Sequence, residues 1–205
     1  MKKRIVVVAL IALALASASA ATAADWHLAR LDAVASSVAG HSVSVYCEDS
    51  RAEWVDIERA LGSDGDSIAG FMWGPGEDPI GNVDTVYIEP SACRALHVYS
   101  ANGWGTTRGA NDAGLLPLGM AGLTLVHEAV HQRGIDDEGQ TECTAYQMMP
   151  KLWTSQFGVK PKIWTWRKMG KRMVHRFVAN PTYTRLMTWT QADHNGLPAE
   201  YRTGC

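Results

Sequence analysis

The segment Leu125-Val126-His127-Glu128-Ala129-Val130-His131 places two imidazoles four residues apart, with a carboxylate directly after the first. On a helix, residues four apart share a face, so His127 and His131 can present ring nitrogens to one metal ion. Glu128 then projects beside that ion, where it can take a proton from a water molecule. Zinc held by two histidines and one carboxylate keeps a fourth position open for such a water. It lowers the water's pKa toward neutrality and polarises a scissile carbonyl, so the expected chemistry is hydrolytic. H-E-x-x-H arises by chance in roughly 1% of chains of this length and composition. Its surroundings therefore matter. Leu123, Leu125, Val126 and Val130 flank it with apolar side chains suited to a buried helix. The competing reading is a pair of histidines on an ordinary helix face.

The residues that follow favour the metal. Gly134 suits a helix C-terminus, and Asp136 or Asp137 can cap the next helix. Two helices joined by so short a turn run antiparallel. Folding about Gly134-Ile135 brings Glu138 level with His131 and Glu142 level with His127. Both glutamates then face the histidines; one can complete a zinc site while the other hydrogen-bonds a ligand imidazole from behind.

These residues resemble the gluzincins, the thermolysin-like zinc metallopeptidases. Their pattern is H-E-x-x-H followed, on a second helix, by a glutamate ligand and an acidic residue four positions later. The resemblance covers residues 123–146. It implies His127, His131 and Glu138 as zinc ligands, Glu128 as general base and Glu142 as the group orienting His127. The gap from His131 to Glu138 is shorter than in thermolysin, and Glu142 stands where aspartate is usual. The same stretch, through Gly134 and Asp137, is also similar to the metzincins that use aspartate as third ligand. Those need a methionine turn, for which Met148 and Met149 are available. Glu138 is the preferred third ligand, with Glu142 and Asp137 as alternatives.

The chain around this motif has 205 residues, 46% hydrophobic and 20% charged, with 19 Gly and 8 Pro. That composition excludes disordered, collagen-like and coiled-coil chains. Lys2, Lys3 and Arg4 precede an apolar run over residues 5–16, and A-x-A sites follow at Ala18-Ser19-Ala20 and Ala21-Thr22-Ala23. Residues 1–24 are therefore read as a secretory signal peptide, cleaved between Ala20 and Ala24. The run is shorter than the roughly 20 residues a membrane span needs. The expectation is an exported protein, secreted or periplasmic, without stable membrane insertion. In an oxidising compartment the four cysteines should form two disulfides, and Cys47–Cys93 with Cys143–Cys205 is the preferred pairing.

Charge divides the chain. Residues 25–142 carry 19 acidic and 6 basic residues, a net of −13, whereas residues 143–205 carry 2 and 10, a net of +8. The basic part interleaves Lys162, Arg167, Lys168, Lys171, Arg172 and Arg176 with Trp164, Trp166 and Phe177. The preferred reading docks this half on the acidic half as helices, with Trp166, Met169, Met173 and Phe177 in the core. The alternative is attraction to an anionic surface such as nucleic acid or cell envelope.

Residues 25–205 fit one zincin-like catalytic domain of α+β class, with a small N-terminal sheet and helices, then a mostly helical half carrying the antiparallel H-E-x-x-H helix pair. Helices are expected from Asp25 to near Gly40, from Ser50 to Gly62 and after Pro90. Strands are expected over residues 42–48, 68–73 and 85–89, and the last could offer its edge to an extended substrate. Residues 101–114 read as a loop. His175, His194, Tyr146 and Tyr183 are weaker candidates for stabilising an oxyanion. Gly103-Trp104-Gly105 lacks the ending of a phosphate loop, and Asp64 with Asp66 lacks EF-hand spacing. The expected function is zinc-dependent hydrolysis of a peptide or protein substrate, with no nucleic acid partner. The alternative is an exported binding module whose basic, Trp-rich helices contact an anionic cell-envelope surface.

Overall fold

In the computed structural model, residues 26–27, 29–48, 50–60, 69–72, 84–101, 112–202 and 205 are described. The proposed signal peptide, the Asp64/Asp66 turn and Gly103-Trp104-Gly105 lie outside them. The elements are β1 (Trp26–His27), α1 (Ala29–Ala39), β2 (Ser44–Cys47), α2 (Arg51–Ala60), β3 (Gly70–Phe71) and β4 (Thr85–Ile88), then α3 (Pro90–Ala101), α4 (Asp112–His131) and α5 (Glu138–Ser155). After these come β5 (Lys162–Met169), β6 (Arg172–Ala179), α6 (Pro181–Gly196) and a short 3-10 helix (Ala199–Arg202). The class is α+β.

The first sheet has the order β1-β2-β4-β3, with β2 and β4 parallel and both outer strands antiparallel to their neighbours. Alternation in β2 sends Val45 and Cys47 inward. All four residues of β4 are buried, because both faces of this strand are covered. Val86 and Ile88 join the main core beneath α1, α3 and α4. Tyr87 joins Trp54 of α2 and Phe71 of β3 in a smaller aromatic cluster, its ring stacked on Phe71 at 4.9 Å.

Two expectations at the edges of this sheet are corrected. Trp26 does not open a helix: Trp26–His27 pairs with Tyr46 and Cys47, and α1 starts at Ala29. Pairing satisfies backbone groups on the open side of β2. β4 cannot offer an edge to a substrate, since β2 and β3 occupy both of its sides. Among the described residues, β3 is the outer strand there.

The larger correction concerns residues 162–179. They form an antiparallel hairpin with a Gly170-Lys171 turn, Gly170 at φ +60°, and not core helices. Trp166, Met169, Met173 and Phe177 repeat at a helix-like interval across the turn. Within each strand, however, the aromatic and β-branched residues alternate, and the side-chain period that wins is two. These four side chains are exposed. The basic, Trp-rich helices of the binding-module alternative are therefore strands.

Both disulfides pair as expected, Cys47–Cys93 and Cys143–Cys205. The first ties β2 to α3, and the second ties α5 to the end of the chain. Such bridges belong to an oxidising, extracytoplasmic setting. Among the described residues, no helix is long and apolar enough to cross a membrane.

Candidate metal centre

α4 and α5 fold back on each other through a turn that the sequence specifies in detail. The helical hydrogen bonds tighten after His131, with Gly134 N–H donating to His131 O at 2.8 Å and Gly134 at φ +78°. Asp137 is the N-cap of α5, its carboxylate accepting the Gln140 backbone N–H at 2.7 Å. That role holds Asp137 away from the metal-capable cluster, which consists of His127, His131 and Glu138.

The three donors converge. His127 Nε2 lies 3.1 Å from His131 Nε2 and 3.0 Å from Glu138 Oε2, while His131 Nε2 lies 3.4 Å from Glu138 Oε1. Ligands about 2 Å from a tetrahedral ion sit about 3.3 Å from one another. The spacing therefore suits an ion that binds nitrogen and oxygen at that distance.

Each histidine is held through its other nitrogen. His131 Nδ1 donates to Ile135 O at 2.7 Å, and Thr141 Oγ1 donates to the same carbonyl at 3.0 Å. His127 Nδ1 donates to Glu142 Oε2 at 3.0 Å. Both arrangements leave Nε2 aimed into the cluster, as second-partner bonds to ligating histidines generally do. Glu142 is only 2% exposed, and its Oε1 accepts from His194 Nδ1 on α6, also at 3.0 Å. His194 is stacked on Tyr146, with ring centroids 4.5 Å apart.

The electrostatics of the cluster follow from this crowding. Burial pulls the His127 pKa down, but the bonds to Glu138 and Glu142 and the charge of Glu128 prevail and hold it at about 10. The same bonds from His127 and His131 draw the Glu138 carboxyl down to about 2, against the effect of burial. Burial raises the Glu128 pKa above the usual carboxylate range, although both histidines oppose it.

Glu128 is 8% exposed and lies under β3. A Cβ at Gly70 would sit 2.9 Å from Glu128 Cγ and 2.8 Å from Thr124 Cγ2, so only glycine lets the strand approach this closely. Thr124 and Ala69, next to this contact, also line a groove of about 830 Å³ running along α4 past Met120 and Pro117. Asp193 lines it from α6; burial and the nearby Glu142 push its carboxyl up to about 6.

The site thus joins His127, Glu128, His131, Glu138 and Glu142. It adds His194 and Tyr146, and it leaves out His175, which stacks on Trp166 in the hairpin, and Tyr183, which packs on the core. Met148 and Met149 lie within α5, Met149 in the core, so they form no turn. Gly70 and the Glu142–His194 bond carry no local sequence signal, because each joins segments more than 50 residues apart. No family model matches this chain, and no curated protein or solved structure does either.

Proposed function

We propose that the protein is a gluzincin-type zinc metallopeptidase that hydrolyses peptide bonds. The observation that carries this reading is the convergence of His127 Nε2, His131 Nε2 and the two oxygens of the Glu138 carboxylate, in contacts of 3.0–3.4 Å, with Glu128 next in chain and buried beside them. Zinc bound by this donor set activates water as a nucleophile near neutral pH and polarises a carbonyl. Everything else falls to the chain's own groups. His127, His131 and Glu138 hold the ion; Glu142 and Ile135 O fix the two imidazoles through Nδ1–H. Glu128 takes a proton from the attacking water at its carboxylate and passes it to the departing amine nitrogen. Burial, which raises its pKa, favours its holding the proton between the two transfers. The outer edge of β3, lying on Glu128, gives an extended peptide a strand to pair with, and the groove beyond Thr124 receives a substrate side chain.

The test is Glu128→Gln. It should retain one zinc per chain and lower peptide hydrolysis by about 10²–10⁴. Loss of zinc with activity would make Glu128 a structural residue, and unchanged hydrolysis would remove it from the chemistry.

A further inference from the structure

The β5–β6 hairpin stands away from the metal centre and from the core. Asn180 fixes its base, donating from the backbone N–H to Pro161 O and from Nδ2 to Lys160 O, both at 2.8 Å. Beyond that base, among the described residues, the two strands make their main contacts only with each other. Eight paired residues at about 3.3 Å each make a ribbon roughly 26 Å long. Among the described residues both faces of this ribbon are open, and a two-stranded ribbon by itself is marginal in water.

Its surface describes that cover. The register sets Trp164 opposite Phe177 and Trp166 opposite His175 on one face. The rings brace one another, Trp166 stacked on His175 at 4.6 Å and Trp164 beside Phe177 at 5.1 Å, yet Trp164 remains 59% and Trp166 66% exposed. Met169 and Met173, both exposed, flank the turn on opposite faces, interleaved with Lys168, Lys171 and Arg172. Six Lys and Arg residues and no Asp or Glu occupy residues 162–179. They are distributed over both faces.

We propose that this hairpin docks the protein on an anionic phospholipid surface, with Trp164, Trp166 and the Met169/Met173 tip entering the headgroup layer and the lysines and arginines meeting lipid phosphates. Charge complementarity selects an anionic partner. Met169 and Met173 favour a partner with an apolar layer beneath its charge, because flexible thioether chains offer a base no flat face, whereas Trp164 and Trp166 suit either partner and leave the oligonucleotide arm of the test to separate them. Tryptophan with basic residues is the composition that settles at the headgroup level. Two copies meeting hairpin to hairpin would set six cations against six. The inference does not rest on the metal centre.

The test is flotation of the purified, disulfide-bonded protein with vesicles of phosphatidylglycerol and phosphatidylcholine in equal parts, beside vesicles of phosphatidylcholine alone. The protein should float with the first and much less with the second. Each cation near an anionic bilayer contributes about fivefold in affinity, so Lys168→Gln/Lys171→Gln/Arg172→Gln should weaken binding roughly a hundredfold. Met169→Asp/Met173→Asp should abolish flotation. All these positions are exposed and distant from the core, so circular dichroism should match the unmodified protein. Failure to float, or flotation untouched by both variants, overturns the proposal. So does binding to a single-stranded oligonucleotide that is as tight as to vesicles and survives Met169→Asp/Met173→Asp.

Discussion

His194 donates from Nδ1 to Oε1 of Glu142, 3.0 Å away, while the other oxygen of Glu142 receives His127. One buried carboxylate thus couples α6 to a histidine of the metal-capable cluster on α4. His194 lies 52 residues from Glu142 in sequence, and its position fixes the carboxylate that fixes the imidazole.

His194→Ala should therefore weaken metal binding about ten- to a hundredfold, the usual effect of losing a group behind a ligand. It also leaves Glu142 Oε1 buried without its donor, at a cost of about 1–3 kcal/mol in stability. Chelator competition measures the first and thermal unfolding of the metal-free protein the second. A fall in stability with unchanged metal affinity would confine His194 to packing.

Gly70→Ala tests the contact between β3 and Glu128. The added methyl would meet Thr124 Cγ2 at 2.8 Å and Glu128 Cγ at 2.9 Å, so the strand or the carboxylate must move. A displacement of about 1 Å at a catalytic group can cost about a hundredfold in rate. Steady-state hydrolysis should show the loss in kcat, with metal content unchanged. Retained kcat would mean that β3 moves without carrying Glu128.

The pKa values of the metal-free centre set its pH behaviour. The His127 pKa is raised from 6.5 to about 10, so its contribution to stability is complete below 6.5 and disappears as pH rises through about 10. That of Glu138 is lowered from 4.5 to about 2, so its contribution is present above 4.5 and disappears as pH falls through about 2. Together they support the metal-free protein most strongly between 4.5 and 6.5. A metal must displace the His127 proton. Affinity should accordingly rise with pH, by up to about tenfold per unit between roughly pH 6 and 8, with proton release on binding. Chelator competition across that range measures the slope. A flat profile would show that His127 is already deprotonated without metal.

The parts of this molecule that could be read in advance are those encoded locally. Four-residue spacing puts His127 and His131 on one face, and a six-residue turn capped by Asp137 brings Glu138 and Glu142 back to them. The hairpin is not legible in the sequence, because Trp166, Met169, Met173 and Phe177 mimic a helical interval across the Gly170 turn, whereas alternation within each strand decides the conformation. The strand at residues 68–73 and the candidate His194 are legible in the sequence, but what each of them touches is not. Their partners, Glu128 and Glu142, are reached only after the sheet and α6 have packed on α4 and α5.

Elemental analysis of the purified protein, beside Glu138→Ala and Asp137→Ala, bears most directly on the metal centre. One zinc per chain is expected, lost in Glu138→Ala and retained in Asp137→Ala, the latter costing only its helix cap, about 1 kcal/mol. Zinc retained in Glu138→Ala but lost in Asp137→Ala would contradict the ligand set. No zinc in the unmodified protein, after purification without chelators and with zinc offered back, would contradict the metallopeptidase itself.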